Sequence, residues 1–97
     1  MDSLRVTAAD DGMVRTHDDA VACLKYAALG ARVRIEPVRE PGSTRTNNST
    51  RRYELLLPCL NGAVVTEGDV YKLPIPAEVL QRRAREVAEH AMRVFRA

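Results

Sequence analysis

Residues 76–95 constrain the fold more than any other segment. Leu80, Ala84, Val87, Ala91 and Val94 recur at steps of four, three, four and three, which is one stripe of an α-helix. Ala88 and Phe95 widen that stripe, and Glu78, Arg82, Arg85, Glu89, Arg93 and Arg96 fall on the other face. A helix of this kind has to bury its stripe against a second layer, so the rest of the chain must supply one. No side chains on the run form a recognisable catalytic or metal-binding set.

The 97 residues are read as one domain, 1–97, long enough for a single core without metals or disulfides. Its only aromatic residues are Tyr26, Tyr53, Tyr71 and Phe95, so the core must be aliphatic and rich in Ala. Leu4 to Thr7 reads as a short strand, and residues 8–15 read as a turn around Asp11-Gly12. Thr16 is placed to cap a first helix, because its hydroxyl can accept from the backbone N–H of Asp19. Asp18 and Asp19 sit where the helix dipole favours negative charge. That helix is expected to run to Leu29 and to end at Gly30. Its interior, residues 20–29, carries one charge, Lys25. It is therefore either the most buried helix, or one with a face covered by another chain.

Residues 31–38 and 51–58 alternate with the period of half-buried strands. Val33 and Ile35 point one way and Arg32, Arg34 and Glu36 the other; Tyr53, Leu55 and Leu57 oppose Arg52, Glu54 and Leu56. Charge selects the register. If paired residue numbers add to 88, Ile35 meets Tyr53, Val33 meets Leu55, Arg34 meets Glu54 and Glu36 meets Arg52. A slip of two sets Glu36 against Glu54, and a slip of one carries charges into the core. Residues 39–49 have the composition of an exposed flexible loop. Asn61-Gly62 and Glu67-Gly68-Asp69 are turn signals around two short strands, 63–65 and 70–73, and Pro76 suits the first turn of the last helix. The predicted fold is α+β, in the order β-α-β-β-β-α. It is a two-layer sandwich with an antiparallel sheet of three to four strands and two helices on one face.

The formal net charge is +2, but residues 1–20 hold five aspartates against two arginines, a balance of −3, which leaves +5 on the remainder. A mixed surface of this kind fits protein binding better than an acidic mimic of nucleic acid. Thirteen of the fifteen basic residues are Arg, a skew that suggests a GC-rich bacterial or phage source. The polar, acidic N-terminus has no signal-peptide pattern and no apolar run reaches transmembrane length, so a cytoplasmic protein without membrane contact is expected. Cys23 and Cys59 match no motif and are expected to be reduced and apart. His17 reads as an exposed residue in a capping segment, and His90 as a surface neighbour of Glu86. No phosphate loop, nucleophile elbow or metalloprotease helix occurs, so neither enzymatic activity nor a cofactor is expected.

Arg82, Arg83 and Arg85 are the densest basic group, and are expected to be mainly a solvated face tied by Glu78–Arg82 and Glu89–Arg93 pairs. The order helix, strands, helix resembles that of a double-stranded RNA-binding domain. The resemblance rests on that order and on Arg82, Arg83, Ala84, Arg85 and Ala88 of the last helix. It implies binding of duplex shape through the start of that helix and the loop between the first two strands. Lys72-Leu73-Pro74-Ile75-Pro76 stands where that family has a Gly-rich approach and paired lysines.

Two functions follow as expectations. The first is a small protein-binding regulator or inhibitor that docks sterically on a partner, with a phage-type inhibitor of a host defence complex (anti-CRISPR-like) as one member of that class. Its contacts are expected from Arg32, Arg34, Arg45, Arg52, Glu54, Leu56 and Tyr26. The second is a nucleic-acid-binding module that uses Arg82, Arg83 and Arg85 with Arg45, Arg51 and Arg52. A homodimer or partner contact through Ala22, Tyr26 and Leu29 of the first helix is also predicted.

Overall fold

The structure, a computed structural model, describes residues 10–28, 31–39, 46–59 and 61–96. Thr16 caps the first helix as its position requires: it is extended, and its hydroxyl accepts from the backbone N–H of Asp19 at 3.1 Å. This helix, α1 (His17–Ala27), stops at Ala28, whose N–H bonds to the carbonyl of Leu24. The expected cap at Gly30 lies outside the described residues. Ahead of α1, Gly12 takes a positive φ of 76° in the expected Asp11-Gly12 turn. The chain then forms β1 (Met13–Val14), where only a turn was expected. The expected strand at residues 4–7 lies outside the described residues.

Three strands follow: β2 (Arg32–Arg39), β3 (Thr46–Pro58) and β4 (Val64–Lys72), paired antiparallel in that order. The β2–β3 register is the one selected by charge, with Val33 opposite Leu55, Arg34 opposite Glu54, Ile35 opposite Tyr53 and Glu36 opposite Arg52. A short β5 (Ile75–Pro76) pairs with β1 as a separate ribbon and leads into α2 (Ala77–Arg96). The order is thus β-α-β-β-β-α with the ribbon strand β5 added before the last helix.

Two elements differ from expectation for tertiary reasons. β3 begins at Thr46, inside the stretch read as loop. The polar residues there are held through their backbone: the Asn48 carbonyl accepts from His17, and the Ser49 carbonyl from the N–H of Leu73. β4 is one continuous strand, where Glu67-Gly68-Asp69 signalled a turn. Glu67 and Asp69 point towards the helices and are bound by Arg83 of α2, which removes the reason for the chain to turn out into water.

Both helices pack on one face of the sheet and against each other, α1 over β2 and α2 over β3 and β4. Leu80, Ala84, Val87 and Ala91 of the predicted stripe are buried against Tyr53, Leu55, Leu57, Val65 and Tyr71, with Ala20, Cys23 and Leu24 from α1. The α1 helix is not buried all round, since Lys25 and Tyr26 are exposed. Ile35 was assigned to the core face, yet it is 37% exposed.

Candidate functional site

Alternation along the strands sends one set of side chains away from the helices. Arg32, Arg34 and Glu36 of β2, Arg52, Glu54 and Leu56 of β3, and Val64, Thr66, Val70 and Lys72 of β4 share this outer face. Among the described residues, no element covers it. Val64 and Val70 are 57% and 53% exposed, and Leu56 is half-buried. Arg34 is fixed by Glu54, with Nη2 to Oε2 at 2.5 Å and Nε to the same oxygen at 3.0 Å, and its Nε lies 3.9 Å from Glu36. These carboxylates, Glu54 foremost, hold the Arg34 guanidinium all the more firmly protonated. Arg52 lies across Gly68, where an added Cβ would fall 2.8 Å from Nη2. The glycine leaves the strand flat enough for that guanidinium to rest on it. The outer face therefore carries four cationic side chains, two carboxylates, apolar Leu56 and Val64 towards one end, and Val70 apart from them opposite Arg52.

The predicted contact residues divide between two faces. Arg32, Arg34, Arg52, Glu54 and Leu56 come together on the outer sheet face. Tyr26 is 47% exposed but belongs to the helix layer. Ala22 is half-buried, and Arg45 and Leu29 lie outside the described residues.

The basic cluster does not hold together. Arg83 turns onto the sheet, where Nε meets Asp69 at 2.7 Å, Nη2 meets Glu67 at 3.2 Å and Nη1 meets Glu86 at 3.4 Å. It is a bolt between α2 and β4, not part of a solvated face. Arg82 and Arg85 stay exposed. Neither Glu78–Arg82 nor Glu89–Arg93 is among the ion pairs of the described residues. Arg51 and Arg52, being consecutive on β3, point to opposite faces; Arg51 is half-buried and donates to the Thr50 carbonyl at 2.9 Å.

One polar cluster had no signal in the sequence. His17 is half-buried rather than exposed. Its Nε2 donates to the Asn48 carbonyl at 2.7 Å, and its Nδ1 pairs with the hydroxyl of fully buried Tyr53. Burial pushes the Tyr53 phenol up to about 12. Tyr71 packs tilted beside it with ring centroids 5.5 Å apart, donates to Asp69 at 3.3 Å, and is raised by burial and by that carboxylate. The cluster ties the start of α1 to β3. The only hint was that a buried Tyr needs a partner for its hydroxyl. His17 also borders an open depression lined by Arg15, Asn48, Ser49, Leu73 and Pro74.

Cys23 and Cys59 are free thiols, as expected. Among the described residues, no group of three or more His, Cys, Asp and Glu could hold a metal ion, and no helix is long and apolar enough to cross a membrane. No protein-family description, no curated protein and no solved structure matches this chain.

Proposed function

We propose that this chain is a protein-binding regulator or inhibitor that acts by covering a partner's surface with the outer face of its sheet. The observation that carries this reading is the face left uncovered among the described residues, with half-buried Leu56 and exposed Val64 towards one end and exposed Val70 opposite Arg52. Exposed apolar side chains set among charges match the mixed apolar and polar make-up of a protein interface. The charges around them define the partner. Arg32, Arg34, Arg52 and Lys72 outnumber Glu36 and Glu54, so the complementary surface is a protein surface rich in carboxylates with apolar contacts among them.

Nucleic-acid binding is less well supported. A phosphate-binding helix needs its arginines free and convergent, and Arg83 is engaged by three carboxylates. The outer face carries no aromatic ring on which a base could stack. The experiment is site-specific photo-crosslinking in the native host. A crosslinking side chain at position 70 should capture a protein, and one at position 82 should not. Capture from position 82 alone, or nucleic acid captured at either position, would overturn the reading.

A further inference from the structure

We infer that β2 is a self-pairing edge, through which two copies of this chain associate antiparallel about a two-fold axis at Ile35, extending the sheet from three strands to six. This does not depend on the docking reading: the seam is the backbone edge of β2, and it shares only Arg34 and Glu36 with the rim of the outer face.

The two edges of the sheet are built differently. β4 turns Glu67 and Asp69 inward and holds them with Arg83, and inward-pointing charge on an edge strand discourages strand addition. The inward positions of β2, Val33 and Ile35, are apolar. Among the described residues, β2 pairs only with β3. Ile35 faces the helix layer and is still 37% exposed, although Tyr53, opposite it on β3, is fully buried. The start of α1 is tied to β3 by His17, and although α1 packs over β2 it leaves Ile35 more than one-third exposed.

The β2 sequence selects one register for its own copy. Antiparallel pairing keeps residues of one face opposite each other, so the two-fold axis must pass through a residue. With the axis at Val33, Arg32 of each copy opposes Arg34 of the other. With the axis at Arg34 or at Glu36, like charges meet on the axis itself. With the axis at Ile35, Arg34 of each copy opposes Glu36 of the other, Ile35 meets Ile35, and Val33 meets Pro37. No like charges face each other there, and the pairing is of the kind that stabilises adjacent strands. Arg34 and Glu36 are both more than half exposed, so they can close these pairs without leaving the core. Pro37 has no N–H to give, which ends the useful ladder after the Val33–Pro37 pairs. The axis is perpendicular to the sheet. Both helix layers then lie on one side, and the two outer faces join into one platform.

The test is sedimentation equilibrium at high protein concentration, because one strand pair buries less than a standard interface of about 1,600 Å². The wild-type chain should sediment at twice the chain mass. Glu36→Arg should sediment as a monomer with an unchanged circular dichroism spectrum, and so should Arg34→Glu. An equimolar mixture of the two variants should recover the dimer, because each supplies the charges the other lacks. As a check that needs no charge change, chains carrying Ile35→Cys with Cys59→Ser should form an interchain disulfide on mild oxidation, and chains carrying Val64→Cys with Cys59→Ser should not. A wild-type monomer, a dimer untouched by Glu36→Arg, or a dimer broken by Tyr26→Glu instead would each overturn the inference.

Discussion

Buried hydroxyl groups need partners, and the Tyr53 hydroxyl finds one 36 residues away in His17. Tyr53→Phe leaves the His17 Nδ1 without its partner, and should cost about 1 kcal/mol in urea denaturation. Combining it with His17→Ala should cost less than the two singles added, because both remove the same bond. The same site, with Tyr71 beside it, contributes to the alkaline limit of the fold. Tyr53 keeps its proton up to about 12 in the folded chain, against an ordinary value of 10.0. Its contribution to stability is complete below pH 10 and is lost as the pH rises towards 12. Denaturation midpoints measured between pH 8 and pH 12 should fall across that window; a flat profile would contradict the assignment. None of this was legible beforehand, because adjacent residues in sequence explain His17 equally well as part of a helix start. Thr16 was legible, since a cap and its acceptor lie within one turn, and Thr16→Ala should cost about 1 kcal/mol.

At the scale of elements, the β2–β3 register could be read in advance because both strands alternate strictly and their outward charges are complementary in only one alignment. β4 could not. Glu67-Gly68-Asp69 is locally a turn, and only the arrival of Arg83 from α2 turns its carboxylates into inward contacts. Arg83→Met should therefore loosen β4, not α2. All three side chains are about one-third exposed, so a loss of about 1–2 kcal/mol is expected, short of the cost for a fully buried pair. Amide hydrogen exchange should quicken in β4 while the α2 amides remain protected. The polar start of β3 was missed for a similar reason: its backbone bonds to His17 and Leu73 come from distant residues. The stripe of α2 needed no such help, and Leu80→Ala in the fully buried position should cost about 2–5 kcal/mol.

For the whole molecule, the decisive asymmetry is between the two faces of one sheet. The inner face is covered by both helices, and the outer face carries charge and exposed Val64 and Val70 with nothing over them among the described residues. The layered architecture was visible in the period of the last helix and the alternation of two strands. The site was only partly visible: alternation placed Arg32, Arg34, Arg52, Glu54 and Leu56 on one face, but β4 read as two short pieces, and Val64, Val70 and Lys72 were absent from the candidate set. The helix arginines counted as a cluster in sequence are separated in space, since Arg83 faces the sheet while Arg82 and Arg85 face water. The most direct test of the docking face is the partner-binding affinity of Val70→Glu compared with that of the double variant Arg82→Glu and Arg85→Glu, measured on the captured partner at low and high salt. The account predicts that Val70→Glu abolishes binding with the fold intact. It also predicts that the double variant binds as wild type and that salt weakens binding only modestly. Full binding by Val70→Glu, with loss in the double variant and a steep decline in salt, would contradict it.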